Sequence, residues 1–202
     1  MWVGDKDVAD YWSLLYLNGS TAGDPVSAFN HSYGGAGSQR ADTSTGYSPN
    51  TWHHACGVWA GPSSRIAYLD GVGKVEDTDT VGSMANHDRM SIGRSGDSTP
   101  GNYMDGLLAE LCVWKDLVLT DEQVLALALG IHPRLIRPDK LAHYWDLLAS
   151  SLTDAIGGKV LSNTGTTMDT DHPPQTISWP PAPIHVPAID SGFGLTPAVV
   201  DV

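Results

Sequence analysis

The stretch WHHACG, Trp52 to Gly57, sets two histidines beside a cysteine, the residue types of a zinc site or of a Cys-His nucleophile. Extended chain points successive side chains to opposite faces. In a strand starting at Trp52, His53 and His54 therefore diverge and cannot chelate one ion. Either ring would need distant ligands such as His31 or His87, and a surface or hydrogen-bonded histidine is the simpler expectation. Cys56 reads as a small apolar filler. The chain's two cysteines, Cys56 and Cys112, have no CxxC spacing and are too few for a disulfide framework. They are either free or joined in one bridge, and free thiols are expected.

Carboxylates could do glycosidic chemistry, which needs two of them facing one bond. The chain has three glutamates, Glu76, Glu110 and Glu122. Glu110 is flanked by Ala109 and Leu111 and Glu122 falls in a helix start, so neighbouring positions assemble no pair and no catalysis is expected. Oxygen ligands for calcium are more plentiful. Asp97, Asn102 and Asp105 sit in one Gly/Ser-rich loop, with further aspartates at Asp70, Asp77 and Asp79, although Asp70 before Gly71 also suits a hairpin turn. Tyr33, Tyr47 and Tyr103 lie in similar loops and could stack on a sugar ring.

These residues need a scaffold, and composition describes it. Eleven Lys and Arg against twenty-three Asp and Glu give a formal charge of -12, a sign that repels nucleic acid and anionic lipid. Twenty-two glycines and thirteen prolines are turn chemistry on the scale of a loop-rich β protein. No apolar run approaches the roughly 20 residues of a membrane helix. The opening residues lack the basic start and apolar stretch of a signal peptide, so export by that route is not expected.

Strands are expected at Tyr11–Leu17, Val26–His31, Trp52–Trp59, Ser64–Leu69, Arg89–Ile92 and Leu107–Lys115, separated by clusters such as NGSTAGDP and GRSGDSTPGN. Strands at this spacing imply a sandwich. TDEQVLALALG predicts one helix over Asp121–Leu129, capped by Thr120, with Gln123 in the capping-box position and Gly130 closing it. A further strand pair is expected around Leu141–Leu148 and Lys159–Leu161. The domain is drawn over 1–168. From Asp169 to Val202 the chain holds seven of the thirteen prolines and no Lys or Arg. This predicts an extended arm with polyproline-like stretches. Its apolar Trp179, Ile184, Val186, Ile189, Phe193 and Leu195 suggest a segment that lies on another surface for assembly.

Residues Asn50 to about Leu148 resemble the laminin-G-like and pentraxin-like jelly rolls of the concanavalin A-like superfamily. The carriers are TWHHACGVWAG, IAYLDG, MSIGRSG and, most specifically, MDGLLAELCVWKDLVLTDEQVLAL, with Gly106, Glu110, Trp114, Leu117 and Leu119 in matching places. The resemblance implies an all-β, antiparallel jelly-roll β-sandwich with Trp52 and Trp114 in its core, Trp114 and Leu111 on a central strand, and one short helix. It also implies calcium or carbohydrate as conceivable ligands. Two positions depart from the family pattern. Ala109 stands where relatives carry Asp, and the abrupt start MWVGD suggests a missing leading strand and an open edge. The later layout, with RP before a YWDLL strand and a Pro-rich end, is similar to jelly rolls in tailed-phage structural proteins. The expectation is a non-enzymatic virion accessory protein, on head or tail, whose partners are other virion proteins and copies of itself. The alternative is a secreted or surface module that binds carbohydrate with calcium.

Overall fold

The computed structural model describes residues 1–5, 11–32, 37–82, 87–147 and 152–176. Ten strands and one helix follow in the order β1 Trp2–Gly4, β2 Tyr11–Leu17, β3 Pro25–Ser32, β4 Gly37–Gly46, β5 Ala55–Gly61, β6 Ser64–Leu69, β7 Val72–Asp77, β8 Arg89–Ser91, β9 Leu111–Trp114, α1 Asp121–Ala128 and β10 Leu141–Trp145. The sheets are antiparallel. One runs β4-β3-β2-β1-β8, a second β5-β6-β7, and β9 pairs with β10.

Alternation along the strands decides which residues lie between the sheets. In β3, Val26, Ala28, Asn30 and Ser32 are buried toward the three-stranded sheet. There Ala28 and Ala41 meet Ala67 of β6. Three alanines at one contact let the sheets approach closely. The facing side of β6 carries Arg65, whose guanidinium crosses to Asn30 at 3.1 Å. The other side of the three-stranded sheet, with Val58, Ile66 and Tyr68, packs on Leu119 and Val124 at the helix and on Trp114 of β9. The result is a jelly-roll sandwich with an outer layer of α1 and the β9–β10 pair.

Helix α1 has the start that the sequence predicts. The Thr120 hydroxyl accepts from Gln123 N at 3.3 Å and the Gln123 side chain accepts from Thr120 N at 3.0 Å. Its flank touches the β6–β7 hairpin, whose Asp70 and Gly71 both have positive φ, 54° and 73°. A Cβ on Gly71 would stand 2.8 Å from Leu125 Cα, so glycine is needed there both for the turn and for the close approach.

Strand β1 lies between β2 and β8, so the edges of that sheet are β4 and β8. Two expectations are corrected. The strand expected at Leu107–Lys115 contracts to Leu111–Trp114, because Gly106 and Glu110 take positive φ and break extended chain. Leu111 and Trp114 then lie in the two-stranded β9–β10 pair and not on a central strand, and Trp114 is half-buried, as is Trp52. Among the described residues no helix is long and apolar enough to cross a membrane.

Candidate functional site

Glu110 precedes β9 in a left-handed conformation, φ 54°, that a non-glycine residue adopts at a cost of about 1 kcal/mol and holds only where its surroundings demand it. Three side chains supply that demand. Tyr144 Oη of β10 donates to Glu110 Oε2 at 2.8 Å. His172 Nε2 and Gln175 Nε2 reach Oε1 at 2.6 and 3.0 Å. His172 Nδ1 lies 2.7 Å from the carbonyl of Pro173.

His132 extends the network. Its Nδ1 accepts from Arg134 N at 3.1 Å, which leaves the hydrogen on Nε2, 3.2 Å from Tyr144 Oη. That order of donors runs from His132 through Tyr144 to Glu110. Burial pushes the Tyr144 phenol up, and the Glu110 charge and hydrogen bond push it the same way. Burial also lowers the His132 imidazole, against the pull of Glu110. The Arg134 guanidinium stacks on the Tyr144 ring at 5.4 Å. Together with Asp146 and Ala155 these groups line a cavity of about 350 Å³. Thr176 fastens the end of the same segment, its N–H donating to Gly130 O at 3.0 Å and its hydroxyl to Leu129 O. Residues 172–176 are thus bonded to the domain, on the arm side of a boundary drawn after Met168.

Glu110 and Asp146 both line this cavity, but Glu110 has both oxygens engaged by three protein donors, which leaves it poorly placed as acid or nucleophile. His132 is no metal ligand in this arrangement, since Nε2 cannot bind a metal while Nδ1 is the acceptor.

The histidine pair beside Cys56 is structural. His53 Nδ1 meets Asp70 at 2.8 Å and its Nε2 accepts from Ser48 N at 3.0 Å, while His54 N donates to Asp70 Oδ1 at 2.9 Å. Asp70 thereby ties the hairpin turn to the start of β5. Burial lowers His54 to about 4. Cys56 and Cys112 are free, and burial pushes Cys56 up to about 12 and Cys112 well above its ordinary value. Such thiols are poor nucleophiles.

The loop residues named from the sequence fare unevenly. Asp97 Oδ1 turns back to accept from Thr99 N at 2.9 Å, and Asn102 and Asp105 are exposed. Among the described residues no three His, Cys, Asp or Glu side chains are placed to hold a metal. Tyr47 is half-buried beside β4 and Tyr103 is exposed near β8. These strands are opposite edges of one sheet, four spacings or about 19 Å apart, so the two rings form no common platform. Tyr33 lies outside the described residues, as do Trp179, Ile184, Val186, Ile189, Phe193 and Leu195.

Sequence reasoning missed His132, Tyr144, His172 and Gln175. A family model described as Concanavalin A-like lectin/glucanases superfamily (Laminin_G_3) matches residues 3–125. No curated protein and no solved structure matches the chain significantly. The match takes in Glu110 but none of its partners, so the cavity is built where a matched residue meets the segments that follow.

Proposed function

Because the chain belongs to the Laminin_G_3 family of the concanavalin A-like lectin/glucanases superfamily, we propose that it is a non-enzymatic assembly module, an accessory structural protein of a virus particle. One observation carries the reading. Beside the outer strand β8, Tyr103, Met104, Leu107 and Leu108 are 68, 37, 43 and 42 % exposed, four large apolar side chains within six residues. Met104 N donates to Gly93 O at 2.7 Å and so fixes this strip along the sheet edge. An exposed apolar tract of this kind supports a docking role toward another protein. The absence of a free carboxylate at Glu110 supports a binding role over hydrolysis. The double substitution Leu107→Asp, Leu108→Asp tests the reading. The folded variant is expected to be lost from particles, and incorporation at the wild-type level would refute the strip as the contact.

A second reading, a carbohydrate-binding module outside the cell or at its surface, is favoured by the outer face of the five-stranded sheet. There Trp12 stacks on Phe29 at 4.8 Å, Tyr16 meets Phe29 edge-on at 6.4 Å, and Arg40 pairs with Asp42 at 2.8 Å. Aromatic rings with charged neighbours suit a sugar, but Trp12 and Phe29 each give one face to the other. A glycan-array signal abolished by EDTA would favour this reading.

A further inference from the structure

Strand β10 turns Tyr144 toward the Glu110 cavity and its neighbour His143 to the opposite side. His143 Nδ1 lies 2.5 Å from Asp154 Oδ2. Asp154 is buried, and its Oδ1 accepts from Tyr144 N at 2.8 Å and from Ile156 N at 2.9 Å. These contacts hold the carboxyl below the usual range, so it is ionised and can only accept. In the neutral ring the hydrogen therefore sits on Nδ1 and the lone pair on Nε2. Gly157 closes the Nδ1 edge, since a Cβ there would stand 2.5 Å from Nδ1 and 2.7 Å from Cε1, and Trp145 stacks on the ring with centroids 5.5 Å apart. The His143 side chain is still 33 % exposed, and among the described residues Nε2 has neither a hydrogen-bond partner nor cover. His53 supplies the contrast. It too has a carboxylate at Nδ1, Asp70 at 2.8 Å, but its Nε2 accepts from Ser48 N at 3.0 Å.

We propose that His143 is an acyl-accepting modification site, with Asp154 as its positioning residue and activated esters or thioesters as the donors. A carboxylate on Nδ1 fixes the tautomer and strengthens the Nε2 lone pair, the orienting arrangement of nucleophilic and metal-binding imidazoles. Nε2 adds to the carbonyl carbon of the donor. The bond from that carbon to the leaving oxygen or sulfur breaks, and the leaving group departs as an anion with the electron pair. The imidazolium keeps its Nδ1 hydrogen on Asp154 until water takes the proton, which leaves N-acylated His143. Charge favours an acyl over a phosphoryl group. The latter would bring roughly two negative charges beside Asp154, on a chain whose formal charge is already -12, whereas an acyl group is neutral. The site lies apart from the exposed strip at Tyr103–Leu108 and does not depend on the assembly reading.

The test treats the full chain with limiting diethyl pyrocarbonate, which transfers an ethoxycarbonyl group to neutral imidazole, and locates the adducts by peptide mass spectrometry. His143 is expected to react at least about tenfold faster than His53 in the same molecule. Asp154→Asn supplies the second arm. Its Oδ1 stays bound to the N–H groups of Tyr144 and Ile156, so the amide nitrogen takes the place of Oδ2 and donates to Nδ1, which moves the ring hydrogen onto Nε2. Reaction at His143 should then fall about tenfold, with the exposed His87 unchanged. His53 reacting as fast as His143, or an unslowed His143 in Asp154→Asn, would overturn the proposal. If Asp154→Asn fails to fold, the nitrogen NMR spectrum of the wild type decides: a neutral His143 ring with its hydrogen on Nδ1 is expected, and one with its hydrogen on Nε2 refutes the proposal.

Discussion

Arg65 and Glu110 are both charged side chains wrapped in hydrogen bonds, and they differ in where the partners come from. Arg65 is fully buried, and its guanidinium donates to Asn30 at 3.1 Å, to Asp77, and to the carbonyls of Pro62 and Asp79 at 2.9 and 2.7 Å. All of these belong to the two packed sheets and to the loops that flank their strands. Glu110 is held by Tyr144, His172 and Gln175, from β10 and the segment beyond it, and faces open space. The first hub locks sheet to sheet. The second fastens the end of the domain and leaves room for a ligand or a neighbour, so the two should fail in different ways.

The largest effect is expected from Arg65→Met, which strands Asn30 and Asp77 between the sheets. It should cost about 3 to 5 kcal/mol in urea unfolding. A loss under about 1 kcal/mol would erase the distinction, because the closed hub would then matter no more than a surface pair.

Asp154 sharpens the comparison from the β10 side. Burial raises its carboxyl, but the N–H of Tyr144, the His143 ring, and the N–H groups of Ile156 and Gly157 outweigh that and hold it below the usual carboxylate range. A carboxyl lowered by folding stabilises the native state above its unfolded value, about 4, and this contribution is lost as pH falls through the native value. Asp154→Asn is accordingly expected to cost about 2 kcal/mol at pH 7 and to flatten the acid limb of a stability profile. An unchanged acid limb would show that other carboxyls set it.

Glu110→Gln should cost less, about 1 to 2 kcal/mol. Its signature is local: faster hydrogen exchange at Thr176 N, with the strands around Arg65 unchanged. Equal loosening of β6 would mean that the two hubs are one cooperative unit. The smallest effect is Thr120→Ala, which loses the cap of α1 for about 1 kcal/mol and should leave exchange at both hubs alone. A change at Thr176 would place the helix between them energetically.

The sequence made some of this arrangement readable and hid the rest for physical reasons. Strands β2 and β6 were legible at their observed bounds because β-branched and aromatic residues run between clear turns, and α1 was legible from its capping box. Strand β4, GSQRADTSTG, was not, because its buried positions are Ala41 and Thr43, small enough to pass for loop. The three residues of β1 are too short for any periodicity. The Glu110 cluster was invisible for another reason. Its partners stand 34, 62 and 65 residues away in sequence, and a search for paired carboxylates passes over a glutamate whose partners are a phenol, an imidazole and an amide.

The assembly reading is tested most directly by quantitative mass spectrometry of particles purified from the virus or cell that encodes the chain. The account predicts the wild-type protein at a fixed ratio to the shell subunit and its loss in Leu107→Asp, Leu108→Asp. Particles without the chain, with the protein recovered free in the medium, would contradict it.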